Sequence, residues 1–196
     1  TGARPVFLSQ VHGTAVVVLD TTTPDGAEAD ACVSTQPGVA CTVMVADCLP
    51  VLFTNTAGTV VAAAHAGWRG LAGEGAGLGV LDTAFDAFAR AVQGLDAVAD
   101  GERVAEDTLV WLGPCIGPKA FEVGPEVREV FLAQHDSAQA CFQPVGRTGK
   151  YLADLPALAR LRLHALGINR LFGNDGTPPW CTVTQASRFF SHRRDA

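Results

Sequence analysis

The chain has 196 residues and 48% of them are apolar, so it can enclose one well-packed core, and we expect a single catalytic domain over residues 1–196. Its net charge of −6 and its scattered basic residues argue against a nucleic-acid surface. No apolar run approaches the ~20 residues that cross a bilayer, and no signal pattern opens the chain, so we expect a soluble cytoplasmic protein with no membrane partner.

The pattern of apolar residues predicts the elements in chain order. Extended apolar segments predict strands at residues 6–11, 15–19, 39–53, 59–65, 108–112, 168–172 and 181–184. Helical spacing predicts helices at residues 78–92, 123–131 and 155–166, and polar stretches predict surface loops at 21–29 and 95–107. Clustered early strands followed by single helices favour a mixed α/β fold over an alternating doubly wound sheet.

Two other sequence features indicate what the chain lacks. The six cysteines lie mostly in apolar surroundings and form no CxxC pair, which predicts reduced thiols and argues against a zinc knuckle. The glycine-rich segment 70–79 fits neither a dinucleotide-binding nor a P-loop pattern, so we interpret it as a flexible or extended helix start.

Three potential metal ligands follow predicted strands. His12 comes after "FLSQV", Cys48 after "VMVAD" and His65 after "VVAAA". Strand ends can converge at one edge of a sheet, and two imidazoles with one thiolate suit Zn²⁺. Three protein ligands leave the fourth tetrahedral position for water or substrate, which is typical of catalytic zinc sites.

The same residues allow two other interpretations. A Cys48 thiolate activated by His65 would be a nucleophile for acyl transfer or deamidation without any metal. A purely structural zinc site would need a fourth protein ligand, for which Cys115 is the evident choice. The spacing of these residues does not decide between the three interpretations.

Charged residues beside these positions add to the predicted site. Asp47 adjoins Cys48, and the two side chains share a site only if the strand has ended or bulged there. Arg69 follows His65 in a tight "GWRG" turn. Near the end of the sequence, "SRFFSHRRD" offers aromatic rings for a base and arginines for an anion.

Several motifs together resemble a known family. "SQVHG", "EADACVS", "VMVADCLPVLF", "VAAAHAGWRG", "WLGPCIGPKAFEVG", "YLADLPAL" and "RFFSHRRD" occur in the order of the laccase-domain family, also called multicopper polyphenol oxidase or bacterial purine nucleoside phosphorylase proteins. The resemblance implies an α-β-β-α sandwich, which is shared with cysteine-dependent deamidating toxins. It also implies a zinc ion bound by His12, Cys48 and His65.

The family resemblance implies phosphorolysis of adenosine, inosine, guanosine and methylthioadenosine, together with deamination of adenosine. The partners expected are therefore a nucleoside and phosphate. Two alternatives remain: a copper polyphenol oxidase, and a Cys-His hydrolase or amidase linked to peptidoglycan editing. Copper is the less favoured metal, because five histidines are too few for the several copper sites of a laccase.

We assign roles to individual residues on this basis. Phosphorolysis needs cationic donors for phosphate, for which we predict Arg69 and Arg193, and polar contacts to substrate, for which we predict Ser9 and Gln10. Asp47 is the predicted catalytic acid or base, and Glu28 and Asp30 are further candidates for that role. The chain has His192 where the family commonly has tyrosine, which puts any role of that phenol in doubt.

Overall fold

The computed structural model describes residues 2–73 and 77–196, and these have the mixed α/β fold that the sequence predicts. The strands are β1 (Arg4–Val6), β2 (Val16–Val18), β3 (Ala31–Ser34), β4 (Val39–Cys41), β5 (Leu49–Asn55), β6 (Val61–Ala66), β7 (Thr108–Leu112), β8 (Glu122–Val123), β9 (Phe142–Val145), β10 (Lys150–Ala153) and β11 (Arg170–Gly173). The α-helices are α1 (Trp68–Ala72), α2 (Val80–Leu95), α3 (Gly101–Asp107), α4 (Pro125–Leu132), α5 (Leu155–Ala165) and α6 (His192–Asp195). Short 3₁₀ helices occupy Asp136–Cys141 and Pro178–Trp180.

In the described part of the chain, the largest sheet has six strands in the order β11-β7-β5-β6-β3-β2. The inner pairs β3–β6, β6–β5 and β5–β7 are antiparallel, whereas β2 and β11 run parallel to their neighbours at the two edges. The parallel pair β1–β4 and the antiparallel sheet β8-β10-β9 are separate from it. Four of its six strands, β2, β3, β5 and β6, therefore come from the first part of the chain.

Helix α2 covers one face of this sheet, and its sequence explains why. Its buried residues Val80, Leu81, Ala84, Phe85 and Phe88 recur at helical spacing and form one apolar stripe. Asp82 accepts a hydrogen bond from the Gly79 N–H at 2.8 Å, which caps the first turn. The stripe packs against β6, whose sequence "VAAAHA" consists mainly of small residues.

Alternation along β6 separates two apolar clusters. Ala62, Ala64 and Ala66 belong to the large core with α2, whereas Ala63 packs with residues from the first part of the chain on the opposite face. His65 shares the parity of Ala63, so the strand directs its ring away from helix α2.

The structure differs from the predicted elements in places that share a physical cause. Residues 39–53 are not one strand, because 42–48 leave the sheet between β4 and β5. Residues 181–184 make turns, with one bridge between Cys181 and Cys115, and the first predicted strand ends at Val6. In each case an apolar run continues past the point where the backbone hydrogen bonds of the sheet stop.

Other elements were not predicted. Strand β3 is a buried run of four residues, too short for alternation to be seen. Helix α3 lies in the predicted loop 95–107, where Asp100 caps it by accepting from the Arg103 N–H at 2.9 Å. The short strands β9 and β10 lie between predicted helices, and β8 ends at Val123, the first residue of a predicted helix. Part of the segment 70–79 falls outside the described residues.

Every α-helix found in residues 2–73 and 77–196 is too short or too polar to cross a membrane. All six cysteines are free thiols.

Candidate metal centre and its cavity

The three predicted ligands come together in the structure. The donor atoms of His12, Cys48 and His65 all lie within 4.8 Å of one another. The His12 Nε2 atom lies 3.6 Å from the Cys48 Sγ atom. An ideal tetrahedral zinc site also places nitrogen and sulfur ligands about 3.6 Å apart. The chemistry and spacing of these donors therefore fit a zinc ion.

Antiparallel pairing places two of the donors side by side. Leu49 at the start of β5 pairs with Ala66 at the end of β6, and Pro50 pairs with His65. Cys48 is the residue just before β5, so it lies beside the end of β6, where His65 is found. The break in the strand that a shared Asp47–Cys48 site requires is present, because residues 42–48 leave the sheet.

The third donor comes from a loop, not from the strand end that the sequence predicts. His12 lies between β1 and β2, and its φ angle of 64° is in the left-handed region. The carboxylate of Asp30 accepts hydrogen bonds from the N–H groups of Val11, His12 and Gly13 at 3.1, 2.9 and 2.7 Å. These bonds hold the loop and thereby position the His12 imidazole.

The Asp30 carboxylate also contacts His65. Its Oδ1 atom lies 2.7 Å from His65 Nδ1, and both side chains are buried. Burial raises the pKa of Asp30 most, but hydrogen bonds from His65 and the three N–H groups outweigh it and keep this pKa below its usual value. Burial lowers the pKa of His65. A charged carboxylate facing a neutral imidazole leaves the Nε2 lone pair for a metal.

The Cys48 thiol is not an activated nucleophile in the metal-free protein. Burial raises its pKa to about 11, and the charges of Asp47 and Asp30 contribute to the increase. The thiol is therefore protonated at neutral pH unless a cation stabilises the thiolate. A bound metal ion would supply that positive charge.

Asp47, next to the predicted ligand Cys48, forms hydrogen bonds with residues near the end of the sequence. Its carboxylate accepts hydrogen bonds from the hydroxyls of Thr182 and Ser191 and from the Arg193 N–H, which is 2.6 Å away. Its φ angle is 86°, and Asp47 and His12 are the non-glycine residues with positive φ in the described chain. Such strained backbone tends to occur at functional sites. This carboxylate already accepts three hydrogen bonds within the protein. The acid/base role of Asp47 stays a prediction.

One cavity of about 680 Å³ is lined by eight of the residues that the sequence assigns to the site, but not by Glu28 or Asp30. The predicted residues among its lining are Ser9, Gln10, His12, Asp47, Cys48, His65, Arg69 and Arg193. Sequence reasoning missed the rings of Trp68 and Phe121, which also line it. The sequence held a signal for both, because Trp68 lies within "GWRG" and Phe121 within "WLGPCIGPKAFEVG". His192 lines the cavity as well.

Two guanidinium groups give this cavity positive charge. The Arg69 guanidinium lies 4.6 Å from the centre of the Trp68 ring. The Arg193 guanidinium lies 6.0 Å from the Phe121 ring and donates to the Glu122 carbonyl. Among the described residues neither has a carboxylate within 4.0 Å. Both cations are therefore positioned to receive an anion.

The other predicted residues have different surroundings. The Gln10 side-chain amide donates to the Met44 carbonyl and accepts from its N–H, each at 2.8 Å, so it braces residues 42–48. Ser9 is exposed and bridges Glu28 through the backbone. Cys115 is buried, and its thiol accepts from Asn174. Among the described residues, Cys115 is not part of the group of three side chains that could hold a metal ion here.

Gly67 packs directly against two of the donors. A Cβ at this position would lie 2.8 Å from His12 Cδ2 and 2.9 Å from Cys48 Sγ. Its φ of −67° suits alanine, so the substitution strains the site and not the backbone. We expect Gly67→Ala to weaken zinc binding by about 10-fold or more, comparable to the loss of an outer partner of a metal ligand. Titration against a competing chelator measures this.

The matched control is Gly94→Ala in helix α2, where the added Cβ meets no atom within 4 Å. This variant should keep the wild-type zinc affinity and gain slightly in stability. Equal zinc affinity in both variants would contradict the close packing of Gly67 against the donors.

Known proteins resemble this chain over nearly its whole length. A family model described as multi-copper polyphenol oxidoreductase laccase matches residues 1–196. The purine nucleoside phosphorylase PA4543 of Pseudomonas aeruginosa is 46% identical over 193 residues, which cover 98% of this chain and 70% of that protein. The purine nucleoside phosphorylase YfiH of Escherichia coli K12 is 49% identical with the same coverage.

Solved structures have the same fold. Neisseria meningitidis protein NMB0706 superimposes with a TM-score of 0.83 at 43% identity, covering 99% of this chain and 71% of that one. YlmD from Geobacillus stearothermophilus has a TM-score of 0.71 at 27% identity, with coverages of 98% and 68%.

Proposed function

Because the chain belongs to the multi-copper polyphenol oxidoreductase laccase family, in which relatives are named purine nucleoside phosphorylases, we propose that it is a zinc-dependent purine nucleoside phosphorylase. One observation carries the proposal. A single cavity contains three convergent metal donors and two guanidinium groups without carboxylate partners among the described residues. Its volume of about 680 Å³ is within the range of small-molecule sites.

The proposed metal ligands are His12, Cys48 and His65. Zinc held by these side chains would supply Lewis acidity inside the cavity. Two nitrogen donors and one sulfur donor match the ligands that zinc takes at catalytic sites, with one position free. Since all three residues line the cavity, a zinc ion that they held would lie beside the space proposed for the substrate.

The remaining residues are assigned to the two substrates. In phosphorolysis a phosphate oxygen forms a bond to the ribose C1′ atom, and the bond from C1′ to the base breaks, with its electron pair leaving on the base nitrogen. Arg69 and Arg193 are the proposed phosphate donors, since each is a charged fork in the cavity. Trp68 and Phe121 offer flat apolar surfaces to the purine. Ser9 is the residue proposed to make polar contacts to the substrate through its hydroxyl.

The decisive experiment uses purified protein with inosine and inorganic phosphate. We expect hypoxanthine and ribose 1-phosphate to form in equal amounts, at a rate that falls to background when the metal is removed and recovers with zinc. Base release that continues without phosphate would instead indicate hydrolysis. No release with inosine, adenosine, guanosine or methylthioadenosine would contradict the proposed function.

Replacing Arg69 tests the phosphate assignment. A hydrogen bond to a charged group is worth about 1.5–3 kcal/mol, so we expect Arg69→Gln to raise the KM for phosphate by about 10- to 100-fold. The KM for the nucleoside should change much less. Steady-state kinetics with each substrate varied in turn separates the two constants.

Arg90→Gln is the matched control, because Arg90 is an exposed arginine on helix α2 that pairs with Asp86 at 2.8 Å, outside the cavity. It should leave both constants unchanged. An Arg69 variant with the wild-type KM for phosphate would remove Arg69 from the phosphate site.

The proposal extends to deamination of adenosine, in which water replaces the amino group at C6 and ammonia leaves. The same cavity would hold the purine, and a proton must then pass to the leaving ammonia. Asp47 and Glu28 remain the proposed acid/base groups. Ammonia release from adenosine, measured with and without phosphate, tests this activity separately from phosphorolysis.

Two alternatives are less well supported. A laccase needs several copper sites, whereas the chain has five histidines and two of them belong to the group described above. A Cys48 hydrolase or amidase needs a thiolate without a metal, and burial raises the pKa of that thiol to about 11. Full activity of metal-free protein on an amide substrate would favour the hydrolase.

A further inference from the structure

We propose that Asp30 is a positioning residue that builds the metal centre, holding two of its three ligands through one buried carboxylate. The inference rests on the zinc site of the proposed function and deepens it. It replaces the expectation, drawn from the sequence, that Asp30 is an acid/base group. The carboxylate belongs to the residue just before β3, at the level of the sheet where β6 ends.

The first ligand held by Asp30 is His65. The Asp30 carboxylate accepts from Nδ1 of the imidazole at 2.7 Å, while the Asp30 backbone carbonyl accepts from the His65 N–H, also at 2.7 Å. The ring and the backbone of one ligand are thus fixed by the same neighbour. A carboxylate on Nδ1 sets the tautomer that leaves Nε2 free, and it increases the basicity of that nitrogen.

The second ligand held by Asp30 is His12. The N–H groups of three successive residues, Val11, His12 and Gly13, converge on the same carboxylate. Three N–H donors around one anion form a concave backbone turn, and here the anion is part of the protein. Without it, the loop would lose the charge that keeps His12 at φ 64° and its imidazole beside Cys48.

The surroundings of Asp30 leave no room for substrate. Its side chain has no solvent exposure, and its two oxygens receive four hydrogen bonds. It is absent from the residues that line the cavity, although it hydrogen-bonds to two that do, His12 and His65. A group with this geometry acts through the ligands that it orients.

The test is Asp30→Asn. The asparagine side chain has the shape of aspartate, but it is neutral and cannot accept hydrogen bonds from all four donors. Removal of an outer partner of a single ligand typically weakens metal binding about 10- to 100-fold. Because Asp30 holds two ligands, we expect a loss of about 100-fold in zinc affinity, measured by competition with a chelator on purified protein. Saturating zinc should restore a large part of the activity.

Asp20→Asn is the matched control. Asp20 also accepts N–H groups in a turn, from Thr22 and Thr23, but it is exposed and outside the cavity. It should keep the wild-type zinc affinity. If Asp30→Asn binds zinc like the wild type, the inference is wrong, whether its activity is lost or kept. Lost activity with intact zinc affinity would return Asp30 to an acid/base role.

A second measurement covers the case in which Asp30→Asn does not fold. In the wild-type protein, NMR should show a strongly downfield Nδ1 proton assigned to His65, in the zinc-loaded form as well as the metal-free form. The signal should vanish in His65→Gln. Its absence from the wild type would overturn the inference. Tight, Asp30-dependent zinc binding in a protein without phosphorolysis would instead refute only the proposed function.

Discussion

Cys48→Ser is expected to weaken zinc binding by more than about 100-fold and to reduce phosphorolysis to background. Loss of an outer partner already costs about 10- to 100-fold in metal affinity, and Cys48 is a proposed direct ligand. A serine hydroxyl would replace the thiolate, which is the only anionic donor of the group of three. Metal content by elemental analysis after dialysis, together with chelator competition, measures the loss.

The control for this variant is Cys41→Ser. The Cys41 thiol donates to the Val61 carbonyl at 3.6 Å, and Cys41 does not line the cavity. We expect one zinc per chain and full activity from it. A Cys48→Ser protein that retains stoichiometric, tightly bound zinc would contradict the assignment of Cys48 as a ligand.

Phe88→Ala is expected to destabilise the fold by about 3–5 kcal/mol, as other buried phenylalanine truncations do. Phe88 has no exposed surface and packs between Phe53 of β5 and Phe85 of its own helix, with ring centroids 6.2 and 6.4 Å away. The loss is a large part of a typical stability of about 5–15 kcal/mol. Urea unfolding of metal-free protein measures it without a contribution from zinc binding.

Phe190→Ala is the comparison for this truncation, because the Phe190 side chain is 85% exposed. Its unfolding midpoint should stay near that of the wild type. A similar midpoint for Phe88→Ala would mean that helix α2 does not form the core against β5 and β6.

The sequence could predict which residues form the site but not how they are held. His12, Cys48 and His65 stood out because each is a metal-ligand type after an apolar run. The bonds of Asp30 to His65 and to residues 11–13 depend on the pairing of β3 with β6, which is a long-range contact. The hydrogen bond from the Gln10 amide to the Met44 carbonyl likewise could not be predicted from a local pattern.

The fold was predictable where elements were long and regular. Helices α2, α4 and α5 were found because apolar residues recur along them, and β7 coincides with its predicted range. Strand β3 and strands β8 to β10 were missed because two to four residues carry too little pattern. The break at residues 42–48 was not predicted, because most of those residues are apolar like the strands on either side.

The hairpin of β5 and β6 has a consequence for the order in which the centre assembles. Cys48 and His65 are brought together by pairing of neighbouring strands, whereas His12 lies 36 residues before Cys48 and arrives on a separate loop. Closing a longer loop costs more chain entropy, so the paired strands form a two-donor half-site at lower cost. An ion captured there would favour the docking of the His12 loop, and loading and folding would then advance together.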